Sequence, residues 1–259
     1  MILFDAHVHI YDCFDLNSFF TSAYKNFSEA GEKIDAGGDI NYFLLLTEAG
    51  DCNYFTRLQE LSVVGNWSVK TLEENVSLAV SHNENPEMRL IVVAGRQIVT
   101  REKLELLALM TGADFPDILE LPEAVEAVVA SGGVPVCPWG AGKWLGARGK
   151  LLEGYCKAGH ASPFFLGDSG GRPSVWPRST LCNNIKFADH LISGSDPLPL
   201  KSEEARAGSF GGFINAECDM SQPVAGLKPL FLNDRTSIAP FGSSMHPISF
   251  VKSQLRLRL

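Results

Sequence analysis

Short apolar runs recur along the chain, and most of them end in a polar or glycine-rich cluster. The run at residues 1–4 leads into His7 and His9 and predicts a strand over 2–7. Between residues 16 and 30, Phe19, Phe20, Tyr24 and Phe27 fall near helical spacing and predict a helix that stops before Gly37 and Gly38. Further strands are predicted over 40–46, 67–71, 76–80, 89–94, 134–137, 164–166 and 191–193, and helices over 55–64, 123–130 and 150–158; residues 104–110 suit either. Strands alternating with helical or loop segments predict an α/β protein with a largely parallel sheet. His7/His9, Glu48, Trp139/Lys143, Asp168 and Asp196 all fall at predicted strand ends, where a (β/α) barrel carries its functional groups. Past about residue 212 the pattern becomes irregular, with prolines at 223, 229, 240 and 247. Loops and a tail packed on the barrel are expected there. Residues 255–259 alternate like a short strand or arm.

Composition narrows the class. With 259 residues, 45% hydrophobic and 20% charged, the chain is long enough for one large domain. A net charge of −8 argues against nucleic-acid or anionic-membrane partners. There is no apolar stretch of transmembrane length and no basic, cleavable leader, so a cytoplasmic protein is expected. The six cysteines form no C-x-x-C pair and read as buried thiols in a reducing compartment.

The chemistry suggested by the residues begins at His7 and His9. Side chains alternate along a strand, so the two imidazoles share a face if the strand reaches residue 9. Two neutral nitrogen donors on one face suit a divalent metal such as zinc, manganese or iron. The same pair also suits a loop cap and a polar pocket. Asp196 ends the apolar run before Gly-Ser-Asp-Pro and is a candidate metal ligand and catalytic proton acceptor; a turn or cap aspartate ahead of Pro197 is the other reading. The loop over 138–149 holds Trp139, Trp144, Lys143 and Arg148 among four glycines, a set fit to stack on a ring and hold an anion, or to pack down as a structural loop. Residues 167–171 spell Gly-Asp-Ser-Gly-Gly, the letters of the trypsin-like nucleophile motif, but the chain lacks the accompanying histidine segment and two-barrel pattern. Asp168 and Arg172 are instead candidate substrate-binding groups at a strand end. His82, His160, His190 and His246 read as structural.

FDAHVH at residues 4–9 together with SGSDP at 193–197 resembles the metal-dependent hydrolases of the PHP and amidohydrolase superfamilies. The segments AGRQIVTREKLELLALM (94–110) and ASGGVPVCPWG (130–140) resemble further PHP pieces. The resemblance implies a distorted (β/α) TIM-type barrel of seven or eight strands, a single domain over 1–259 with 213–259 as an extension packed on it. It also implies a metal cluster at the C-terminal strand ends and hydrolysis, often of phosphate esters. His7, His9 and Asp196 match ligand positions, and Glu48 stands at another. Where the family places further ligands, this chain has Ala49, Gln97, Pro138-Trp139 in place of His-Pro, and Leu198. The expected activity is hydrolysis of a small, anionic substrate by a metal-activated water, on a phosphoester or, in the amidohydrolase manner, on a C–N bond. The rival expectation is a repurposed, non-catalytic barrel that binds a small anionic ligand.

Overall fold

The structure, a computed structural model, describes residues 1–34, 38–116, 118–140, 142–159, 162–183 and 191–258. His160, His190 and Leu259 lie outside them. The elements in chain order are β1 (Ile2–Val8), α1 (Leu16–Ile34), β2 (Asn41–Leu46), β3 (Glu48–Ala49), α2 (Tyr54–Leu61), β4 (Val63–Val64), β5 (Trp67–Thr71), β6 (Ser77–His82) and β7 (Arg89–Val93). They continue with β8 (Gly95–Val99), β9 (Glu105–Leu109), α3 (Leu121–Ala130), β10 (Val134–Trp139), α4 (Ala147–Ala158), β11 (Phe165–Ser169) and β12 (Ile192–Gly194). The last are β13 (Phe210–Ile214), α5 (Pro223–Leu232), β14 (Ala239–Gly242) and α6 (Pro247–Arg256).

Two mixed sheets form, in the orders β14-β13-β1-β2-β7-β6-β5-β4 and β12-β11-β10-β9-β8-β3. Among the described residues, seven of the twelve strand pairings are antiparallel. The expected closed (β/α) barrel is therefore not the architecture. A parallel crossover needs a dozen or more residues and usually a helix. From β4 to β7 the chain instead turns back through short connections, such as Gly65-Asn66 between β4 and β5. Residues 63–64, predicted as the end of a helix, start this meander, and 255–256 close α6 where an extended arm was expected. Residues 210–242 contribute β13, antiparallel to β1, and β14, antiparallel to β13, at the edge of the first sheet.

Strand alternation sorts the core into three layers. Ile2, Phe4, Phe43, Leu45, Ile91 and Val93 face Leu107, Leu109, Val134, Val136 and Phe165 between the sheets. Leu3, Leu44 and Val92 face the other way, onto Phe19, Phe20, Ala23 and Phe27 of α1. On the outer face of the second sheet, Leu106, Cys137 and Leu166 pack with Val125 and Val128 of α3 and Leu152 of α4. The sheets touch where β1 passes β12. The Asp196 N–H donates to the His7 carbonyl at 2.8 Å, and no ladder forms along this seam.

Candidate metal centre

A β-bulge sets the direction of the two histidines. In the β1–β2 register Asp5 pairs with Leu44 but Val8 pairs with Leu46, so β1 carries one extra residue. Before the bulge, even positions face the inter-sheet core; after it, Val8 joins the α1 side. His7 and His9 are thereby swung to the inter-sheet side. Asp5, fully buried, holds the bulge in place. Its carboxylate accepts from the backbone N–H groups of His7 at 3.2 Å, Ser195 at 2.8 Å and Gly208 at 2.8 Å. Burial pushes the Asp5 carboxyl up to about 6 against the pull of these hydrogen bonds.

Asp196 arrives from the second sheet, directly after β12, with a left-handed φ of 52°. Gly194 allows it to come so close: a Cβ there would stand 2.2 Å from the His7 nitrogen. The result is a buried group of His7, His9 and Asp196 with the spacing of a metal site. The Nε2 atoms of the two rings are 3.1 Å apart. Asp196 Oδ1 stands 3.5 Å from His7 Nε2 and 3.8 Å from His9 Nε2. A tetrahedral metal about 2.1 Å from each donor would separate them by about 3.4 Å, so the three atoms fit one face of such a site. Gln97 Oε1 lies 3.4 Å from His7 Nε2, and Thr47 Oγ1 3.5 Å from His9 Nε2. His7 Nδ1 is buried with no partner, so ligation through Nε2 leaves an unsatisfied ring N–H.

The other oxygen of Asp196 faces a second set of groups. Ser169 donates its hydroxyl to Oδ2 at 2.6 Å, and Lys143 Nζ stands 3.5 Å from it. Lys143 also pairs with the Glu105 carboxylate. Gly140 leaves room for the lysine stem, since a Cβ there would lie 2.9 Å from Lys143 Cδ and Cε. At Gly171 a Cβ would meet both Asp196 Oδ2 and Ser169 Oγ at 3.2 Å, so the protease-like letters at 167–171 serve close approach of two loops.

The electrostatics are those of neutral rings beside a stable anion. Burial is the largest influence on both histidines and drives His7 down to about 3 and His9 to about 4, against the pull of Asp196. Burial alone would raise Asp196, but His7, Lys143, His9 and the Ser169 hydroxyl together hold its carboxyl far below the usual carboxylate range. Lys143 is likewise held above its ordinary value, because Asp196 and Glu105 outweigh its burial.

The other sequence-predicted residues are placed elsewhere. Glu48 caps α2, accepting from the Phe55 N–H at 3.0 Å, and faces Arg96 at 3.8 Å; it stands outside the ligand group. Trp139 is buried 5.3 Å from Trp144 in the outer core, away from the cavity. Arg148 donates to the carbonyls of Gly142 and Lys103 and pins its own loop. Asp168 is held by Arg172, at 2.7 and 3.0 Å, and by Arg178 at 2.9 Å, which occupies the first guanidinium. Of the five expected substrate groups only Lys143 reaches the cavity. That cavity, of about 250 Å³, opens beside His9, Gln97, Lys143 and Asp196 and is bordered by Phe250 and Gln254 of α6. Ser169 and Glu105 join it without a sequence signal beyond their strand-end positions. A larger cavity of about 580 Å³ lies at the opposite end of β2, near Asn41 and Arg89, and its described lining contains no histidine or cysteine.

No protein-family model matches the chain, and no curated protein matches it. Among solved structures, the crystal structure of PsfC from Pseudomonas syringae PB-5123 aligns over 98% of this chain and 96% of that chain, with a TM-score of 0.57 at 12% identity. At that identity the likeness extends to the fold alone. Among the described residues, no helix is long and apolar enough to cross a membrane.

Proposed function

We propose that the protein is a metal-dependent hydrolase of small anionic substrates, with His7, His9 and Asp196 as the metal ligands. The observation that carries this reading is the spacing of the two Nε2 atoms and Asp196 Oδ1, at 3.1, 3.5 and 3.8 Å, with His9 and Asp196 on the wall of a cavity. Two imidazoles and one carboxylate suit zinc, manganese or iron. A metal held there supplies Lewis acidity and brings the pKa of a water toward neutrality. The rest falls to the chain's own groups. Burial keeps both imidazoles neutral and free to ligate. Asp196 Oδ1 faces the histidines, while Oδ2 accepts from the Ser169 hydroxyl and faces Lys143, which together fix the carboxylate as a ligand. Lys143 offers an ammonium to the substrate's anionic group, and Gln97 offers an amide beside it. Phosphoester and amide hydrolysis both fit this set of groups.

One observation favours the rival reading, an anion-binding protein without catalysis: the unpartnered His7 Nδ1, which weakens the site as a metal centre. Metal analysis of the purified protein, alone and after incubation with zinc, manganese or iron, separates the two. About one equivalent, lost in His7→Ala and His9→Ala and accompanied by turnover in a panel of phosphoesters and amides, is the expected result. A protein that takes up no metal under any of these conditions would overturn the hydrolase reading.

A further inference from the structure

The two oxygens of Asp196 have different neighbours. Oδ1 looks at the two histidine nitrogens, and Oδ2 looks at Lys143 at 3.5 Å. A carboxylate that turns one oxygen to each of two cations is the bridging ligand of a two-metal site. Here the second position is filled by an ammonium. The Glu105 carboxylate sits on the far side of that ammonium, where it holds the lysine in place. Gly140 is shaped around the lysine stem, so the arrangement is built rather than incidental. Gln97, a neutral side chain at 3.4 Å from His7 Nε2, adds no charge to attract another metal.

Resting on the metal reading above, we propose that the centre is mononuclear, that Lys143 is its permanent second cation, and that the site takes small organic monoanions. The charge balance supports the ligand class. Neutral histidines contribute nothing, two carboxylates oppose one ammonium, and a dication brings the loaded site to a single positive charge. A doubly charged ligand would leave this partly exposed site with a net negative charge, which balances less well than the neutral sum that a monoanion gives. The size of the cavity, about 250 Å³, holds a ligand of small-metabolite scale, with Tyr11 and Phe250 as its apolar walls.

The test uses the full chain loaded with cobalt(II), whose visible spectrum reports ligands at the metal, titrated with acetate and with inorganic phosphate. The parent is expected to bind one equivalent of cobalt and to prefer acetate. Lys143→Gln is expected to keep one equivalent and to bind acetate on the order of tenfold more weakly, the loss of a charge-assisted contact. Glu105→Gln frees a positive charge and is expected to tighten binding and shift the preference toward phosphate. If Lys143→Gln does not fold, Lys143→Arg is expected to hold acetate within a few-fold of the parent, and Glu105→Gln carries the charge argument. Two equivalents of cobalt in the parent, unchanged acetate affinity in Lys143→Gln, or unchanged affinity and preference in Glu105→Gln would overturn the proposal while leaving the metal site standing. No cobalt at all would overturn both.

Discussion

At the scale of single residues, Ser169 shows how a supporting group sets the site. Its hydroxyl fixes the Asp196 carboxylate at 2.6 Å, and the two loops that bring them together are glycine-lined. Removing such an outer partner typically weakens a metal site by about 10- to 100-fold. Ser169→Ala is therefore expected to fold normally and to lose metal affinity in that range, measured by competition with a chelator. The buried histidines make a second prediction. Their folded pKa values, about 3 and 4, lie below the ordinary histidine value, so the unfolded chain binds more protons than the folded one as the pH falls. Stability from this source is complete above about pH 6.5 and is lost between there and about pH 3. The depressed carboxyl of Asp196 acts in the same direction at lower pH. Asp5, raised to about 6, acts oppositely: its contribution is present below about pH 4 and lost as the pH rises through about 6. Two histidines outweigh one carboxylate. The melting temperature of the metal-free protein is expected to fall on acidification below pH 6.5, and a His7→Gln/His9→Gln variant is expected to flatten that slope.

At the scale of elements, the bulge in β1 and the glycine of β12 decide where His7, His9 and Asp196 go. A methyl group at Gly194 would stand 2.2 Å from the His7 backbone nitrogen and 2.5 Å from its Cβ. Gly194→Ala is expected to cost about 1–3 kcal/mol and to abolish metal uptake, because β12 has to move away from β1. Gly154→Ala, inside α4 with nothing within 4 Å of its added methyl, is the control and is expected to stabilise by up to about 1 kcal/mol. Thermal melts of both variants, with metal analysis, check the pair. The candidate group of His7, His9 and Asp196 was legible in the sequence, because H-x-H and Ser-Asp-Pro are local patterns with a local meaning. The bulge was not, since an extra residue in a strand is visible only against its neighbour. Arg172 and Asp168, expected as substrate groups, lie four residues apart and pair with each other in the structure. Strand positions were largely readable from alternation. Strand direction was harder, although Gly65-Asn66 between two short apolar runs is a hairpin signal that points to the antiparallel meander.

At the scale of the whole molecule, the C-terminal helix borders the cavity while burying little of itself. Among the residues of α6 only Ser253 is buried, its hydroxyl donating at 2.9 Å to Glu203. Yet Phe250 and Gln254 border the cavity. Ending the chain after His246 is expected to lower stability by no more than about 2 kcal/mol, roughly a hydrogen bond and a little packing, while changing ligand affinity clearly. A fall in melting temperature beyond about 10 °C would show instead that the helix belongs to the core. The seam between the sheets matters more. His7 lies in β1 and His9 just past its end, while Asp196 lies just past β12 of the second sheet, on either side of a junction closed by backbone contacts without a ladder. A metal shared by those three side chains would add a cross-link to a junction that only a few backbone contacts close at this edge. Its binding energy would then add to the holding force of the junction, and amide exchange along β1 and β12 is expected to slow more on loading than exchange in the β5–β6 meander. On the proposed metal reading the reagent and the fastener are one ion, and stripping the metal would loosen the frame as well as stop turnover.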